Sequence, residues 1–426
     1  MIKILKPGDL TAAGRSVLAA PPELTAAVAE IIENVIKRGD AAVREYTEKW
    51  DGCAINSFEV TADEIDCAME AAGPEFIGIM QRASRNIENF HRNQIRQGFI
   101  MSPGSGVVLG QRILPLGRVG VYIPGGTAPL ASCVLMSCIP ARLAGVGEII
   151  ISTPPAKNGS VDPGVLAAAK IAGADRVFKA GGAQAIAAMA FGTETIPRVD
   201  KITGAGNSYV AEAKRQVFGA VGIDMIAGPS DILVIADGNA DPRLVAADML
   251  SQCEHGADSI AVLITDSETL AGNVSAQIET QLKRLPREGI ARRSVDTHGK
   301  IIITASIDEA FQISNELAPE HLEIFLDEPF SHLDKVSNAG SVFLGKHTPE
   351  AVGDYFAGPN NTLPTSGTAR FSSPLSVDDF VKKSSFTYYT ADALAKDGAD
   401  IIGFAEKEAL MAHGQSVQKR VRGENE

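Results

Sequence analysis

GRVGVYIPGG (117–126), SCVLMSCIPARLAGV (132–146) and EIIISTPP (148–155) follow one another along the chain. The first is a short apolar run closed by a glycine pair, the size of a buried strand. The second is too long for a strand, and Gly145 falls where a helix would end. The third is again a short β-branched run. A strand, a helix and a strand in that order make a βαβ unit, and its two strands must lie parallel. The pattern continues outward with VDPGVLAAAKIAGA (161–174) as helix, RVFKAGG (176–182) as strand and AQAIAAMAFG (183–192) as helix. KIT (201–203) then leads into GAGNSYVAEAKRQVFG (204–219).

A second alternating series begins at DILVIAD (231–237). PRLVAADMLSQCEHG (242–256) reads as helix, SIAVLITD (259–266) as strand, ETLAGNVSAQIETQLKRL (268–285) as helix and KIIITAS (300–306) as strand. IDEAFQISNELA (307–318), HLEIFL (321–326) and the pair 330–339 and SVFLG (341–345) complete it. Two series predict an α/β protein with two Rossmann-like, doubly wound parallel sheets and a ligand cleft between them. The expected divisions are a helical region at 1–113, a first α/β domain at 114–231, a second at 232–373 and a helical C-terminal extension at 374–426. The N-terminal expectation rests on helical spacing in 21–52 and 61–95, with Thr61 as an N-cap.

Composition narrows the function classes. Of 426 residues, 39 are Lys or Arg and 52 are Asp or Glu, a formal net charge of −13. That excess of acid argues against a nucleic-acid binder, which needs a basic stripe for phosphates. No apolar run reaches transmembrane length and the opening lacks a secretory core, so a cytoplasmic protein is expected. Cys53, Cys67, Cys133, Cys138 and Cys253 are odd in number and scattered, as expected of reduced, buried thiols rather than a disulfide framework.

Single motifs are weak. Gly204-Ala205-Gly206-Asn207-Ser208-Tyr209 opens a helix after a strand but lacks the third glycine of a dinucleotide fingerprint. Asp224 stands 20 positions after Gly204, where an acidic ribose ligand would fall. Gly125-Gly126 is a second backbone turn able to approach a phosphate. Either can equally be a plain strand–helix turn. Gln252 and His255 stand three apart on one helical face and could share a metal, or be a core and a capping residue. Glu320 and His321 could be two proton-transfer groups or part of a solvated loop. Asp354 and His413 say nothing alone.

Their joint order says more. YIPGG (122–126), GGAQAIAA (181–188), KITGAGN (201–207), AGPSD (227–231), QCEHG (252–256), APEHLE (318–323), GDYFAGPN (353–360), LPTSGTARF (363–371) and EALMAH (408–413) together closely resemble the histidinol dehydrogenase family over almost the whole chain. The resemblance implies an NAD-dependent zinc enzyme, a homodimer that oxidises L-histidinol to L-histidine through the aldehyde with two NAD. It implies zinc ligands at Gln252, His255, Asp354 and His413, the last lent by a partner chain. It implies Glu320 and His321 as the catalytic pair, with His321 a neutral imidazole base and Glu320 the activator of a water. NAD contacts fall on Tyr122, Gln184 and Asn207. Substrate contacts fall on Ser230, His321, Asn361, Glu408 and the zinc ligands.

Some blocks depart from the family. Where it usually has a histidine after Gly-Pro-Asn or Gly-Thr-Asn, this chain has Asn361, which can hydrogen-bond but neither carry charge nor exchange a proton. QCEHG, GAGN, AGPSD and EALMAH are milder variants. Asn361 motivates a second expectation, a paralogue that oxidises another small polar primary alcohol, such as a sulfonated diol, to its acid. A third is a non-catalytic relative that binds metal or nucleotide.

Overall fold

The computed structural model describes residues 2–9, 20–125 and 129–422. In chain order the elements are β1 (Lys3–Leu5), α1 (Pro22–Arg38), α2 (Asp40–Asp51), α3 (Ala62–Ala72), α4 (Pro74–His91), β2 (Phe99–Gly104), β3 (Val107–Pro115), β4 (Arg118–Tyr122), α5 (Ala131–Ala144), β5 (Glu148–Thr153), α6 (Pro163–Ala172), β6 (Arg176–Lys179), α7 (Gly182–Phe191), β7 (Lys201–Thr203), α8 (Ser208–Val217) and β8 (Gly222–Ile223). Then come β9 (Asp231–Ala236), α9 (Pro242–Cys253), β10 (Ile260–Thr265), α10 (Glu268–Leu282), α11 (Glu288–Thr297), β11 (Lys300–Ile303), α12 (Ile307–Leu317), β12 (His321–Phe325), β13 (Ser341–Leu344), α13 (Glu350–Tyr355), β14 (Val381–Tyr389), α14 (Ala391–Lys407) and α15 (Met411–Arg422).

They form two compact units. The larger comprises residues 1–94 and 116–380; the smaller comprises 95–115 and 381–426. The larger holds two parallel sheets with orders β6-β5-β4-β7-β8 and β1-β11-β10-β9-β12-β13. Leaving out β1, each series runs third, second, first, fourth, fifth. That is the doubly wound order, in which the chain returns to the middle of the sheet and reverses direction. Helices cover both faces, so the strands are buried on both sides and read as unbroken apolar runs. In β9, Ile232, Val234 and Ala236 enter one core while Leu233 and Ile235 enter another. In β4, Val119 and Val121 face one core and Tyr122 the other.

Thr61 caps α3 through a capping box: its hydroxyl accepts the Glu64 N–H, and Glu64 accepts the Thr61 N–H at 2.9 Å. Two expectations about the ends are corrected. Residues 1–113 are not all helical. β1 pairs in parallel with β11, extending the second sheet, and β2 and β3 lie in the smaller unit. Residues 374–426 are not all helical either, because β14 pairs antiparallel with β3 along its whole length. The smaller unit is thus a three-stranded sheet, β14-β3-β2, followed by α14 and α15. All five cysteines are free, but only Cys53, Cys138 and Cys253 are buried; Cys67 is exposed and Cys133 lies between. Among the described residues no helix is long and apolar enough to cross a membrane.

Candidate active site

The two parallel sheets contribute opposite strand ends to one place. A cavity of about 140 Å³ is lined by Tyr122 and Gly204, past the carboxyl ends of β4 and β7. It is also lined by Ser230, Glu320 and His321, at the amino ends of β9 and β12. The first sheet follows the rule that ligands sit at carboxyl ends; the second does not.

β9 and β12 are neighbours, with His321 opposite Ile232. That register sets residue 320 beside residue 231, and the two lock together. The Glu320 N–H donates to Asp231 Oδ1 at 2.8 Å, and the Asp231 N–H donates to Glu320 Oε2 at 2.9 Å. The Asp231 carbonyl lies 2.9 Å from His321 Nδ1. A carbonyl only accepts, so this contact asks for a proton on Nδ1. Nε2 is buried, has no hydrogen-bond partner and lies 3.7 Å from Asp354 Oδ1. Gln252 Nε2, an amide donor, lies 3.0 Å from that same Nδ1, while Gln252 Oε1 is buried without a partner.

The charge here is lopsided. Burial pushes Glu320 up to about 8 and Asp231 up to about 6. For His321 burial pushes down, but Glu320, Asp354 and Glu350 push up harder, to about 10. Without a cation, the neighbouring carboxylates therefore favour the protonated ring. A cation is what would reverse this.

Side chains for one are present. His255, Glu350 and Asp354 bring ligand atoms within 4.8 Å of one another. Gln252 lies in the last turn of α9, and His255 follows just past its end. Glu350 and Asp354 stand four apart on α13, facing the same side. One imidazole and two carboxylates make a nitrogen–oxygen donor set that suits a divalent metal such as zinc, and Gln252, with its orphaned oxygen, lines the same small cavity as His255 and Asp354. Ser251 Oγ holds Glu350 at 2.8 Å, and burial raises Glu350 to about 7.

Tyr122, Gln184 and Asn207 line a larger cavity of about 950 Å³. It shares Tyr122 and Pro124 with the smaller one. The Tyr122 hydroxyl accepts the Gly182 N–H at 3.0 Å, and burial raises it to about 12. Gln184 Oε1 is buried without a partner. Asn207 Oδ1 caps α8 by accepting the Tyr209 and Val210 N–H groups at 3.1 Å, leaving its NH₂ free to donate. Gly204 has φ +108°, and a Cβ there would collide with the Tyr122 carbonyl, so the glycine lets this turn press against β4. Asp224 is consumed inside the fold: it pairs with buried Lys214 and accepts the Gly204 N–H at 2.8 Å. It is not available as a ribose ligand. Gly125 lines the large cavity; Gly126 lies outside the described residues.

Asn361 lines the small cavity, its NH₂ donating to the Asp354 carbonyl at 3.2 Å and its Oδ1 buried without a partner. Glu408, at the end of α14, and His413, on α15, are exposed residues of the smaller unit. Sequence reasoning missed Asp231 and Glu350. A readable signal existed for the second: two carboxylates at i and i+4 repel unless something positive sits between them.

The family model described as histidinol dehydrogenase matches residues 17–421. A histidinol dehydrogenase of Listeria monocytogenes is 51% identical over 398 residues, covering 93% of each chain. One of Lactiplantibacillus plantarum is 51% identical over 417 residues, covering 97% of each. The crystal structure of histidinol dehydrogenase from Elizabethkingia anophelis superposes with a TM-score of 0.92 at 40% identity, covering 100% of this chain and 99% of that one.

Proposed function

The chain belongs to the histidinol dehydrogenase family, as an NAD-dependent oxidoreductase acting on a small molecule, and from that premise we propose that it carries out the four-electron oxidation of L-histidinol to L-histidine. The observation that carries the proposal is the buried, unpartnered Nε2 of His321, aimed into a cavity that also holds Glu320 and a metal-capable cluster.

Loss of hydride from the alcohol carbon to NAD requires loss of the hydroxyl proton as the C=O bond forms. His321 Nε2 takes that proton, and the Asp231 carbonyl steadies the resulting imidazolium through Nδ1–H. The aldehyde then adds water, activated by the Glu320 carboxylate, to give a gem-diol. The diol loses a second hydride to a second NAD and a second proton to His321, leaving the acid. The balance is one alcohol, one water and two NAD giving one carboxylic acid, two NADH and two protons.

Gln252, His255 and Asp354, with His413 of a second copy, would hold zinc, and Glu350 lies within the same cluster. Zinc would supply a positive charge that orients the substrate and lowers the His321 pKa toward neutrality. Ser230, Asn361 and Glu408 would contact the substrate. Tyr122, Gln184 and Asn207 would contact NAD. A homodimer is part of the proposal, and apolar side chains exposed on the smaller unit, Ile100 and Phe404, support it.

The test is stoichiometry. Zinc-loaded protein given limiting L-histidinol and excess NAD should form two NADH and one L-histidine per substrate. Absence of turnover at full zinc occupancy would overturn the proposal.

A further inference from the structure

A cofactor with a free ribose diol needs a carboxylate to accept its two hydroxyls, and the fingerprint candidate, Asp224, is locked to Lys214. The large cavity contains another. Asp51, the last residue of α2, lines it, and Asp51 Oδ2 is buried with no hydrogen-bond partner. Burial raises the Asp51 carboxyl to about 6, and no cation offsets that rise. Such an oxygen is costly to leave unpaired and gains a partner only from a donor that enters the cavity. The other lining carboxylate, Asp162, is already engaged, accepting the Gly164 N–H at 2.8 Å to cap α6.

Position says which part of the cofactor arrives there. Tyr122 and Pro124 border both cavities, so the reacting end must pass between them toward His321. Trp50 and Asp51 border only the large cavity, leaving them the adenosine half. Trp50 is half exposed and braced from one side by Tyr46, with ring centroids 4.8 Å apart and planes 5° from parallel. Lys49 Nζ also lies over the ring, 5.4 Å from its centroid.

Resting on the NAD-linked reading above, we infer that Asp51 accepts the hydroxyls of the adenosine ribose and makes the chain select NAD over NADP. A 2′-phosphate would remove one donor and set like charge against the Asp51 carboxylate.

Trp50 is the single tryptophan of the chain, so it reports on this site directly. Quenching of its fluorescence should be titrated with NAD, NADP and ADP-ribose on the zinc-loaded wild type and on Asp51→Asn, alongside KM for each cofactor. The wild type should prefer NAD at least tenfold. Asp51→Asn should weaken NAD and ADP-ribose roughly fivefold to tenfold and shrink the NAD-to-NADP preference by a similar factor, with KM for the alcohol and the melting temperature unchanged. An unaltered cofactor preference in Asp51→Asn, or a wild type that takes NADP equally well, would overturn the inference. A wild type that shows neither quenching by NAD nor NAD-linked turnover would overturn the functional proposal instead.

Discussion

The two parallel sheets meet the small cavity with different chemistry. The first sheet arrives with a backbone turn and neutral side chains: the Gly204 turn, the Asn207 cap and the Tyr122 phenol. The second arrives with titratable side chains packed below water, Glu320 and His321 at the start of β12 and Asp231 at the start of β9. A surface of fixed dipoles can hold a cofactor that must be exchanged between half-reactions. A surface of shifted ionisations can move protons, and a cation beside it would ease its crowded carboxyl groups. Under the proposed function, binding falls to one sheet and chemistry to the other.

The largest effect should come from taking the cation away from the second sheet. Chelation should abolish turnover and spare NAD-dependent quenching of Trp50 fluorescence, and zinc should restore activity. Refilling should also release protons at pH 7, because Glu320, Glu350 and His321 all hold protons more tightly than usual without a metal. Calorimetry in two buffers of different ionisation enthalpy counts them, and zero release would break the contrast.

Next, His321→Asn should lower kcat by about 10²- to 10⁴-fold while KM for NAD stays put. Lys214→Met acts on the other sheet. It strands Asp224 as an unpaired buried charge and should cost about 3–5 kcal/mol on denaturation, with a weaker NAD affinity and an unaltered metal content. If it disturbs metal binding as much as NAD binding, the division of labour fails. The smallest effect belongs to Asn361→Ala. Losing one hydrogen bond, about 0.5–1.5 kcal/mol, should raise KM for histidinol a few-fold and leave KM for NAD unchanged.

How much was legible follows from the kind of signal each part sends. Ile232 to Ala236 and Glu148 to Thr153 announced their sheets because strands buried on both faces are continuous apolar runs. The motif blocks supplied Gln252, His255, Glu320, His321 and Asp354 through resemblance. Asp231 was hidden because its role depends on β9 lying beside β12, a neighbour far away in the chain. Asp51 was hidden because it ends an ordinary amphipathic helix. β2 and β14 were hidden because their residues are mostly exposed and carry no apolar alternation to read. β1, at three residues, is too short to carry a pattern at all.

β1 also bears on the chain's birth. Lys3, Ile4 and Leu5 find their hydrogen-bonding partners only at Lys300, Ile301 and Ile302. At about 5–20 residues per second, the ribosome emits the start of the chain roughly a quarter of a minute to a minute before its docking edge exists. All five strands of the first sheet emerge in that interval, although its core is completed only by Leu375 and Phe380. The second must wait with one seat empty, so the order of translation sets the order in which the strands of the two sheets become available.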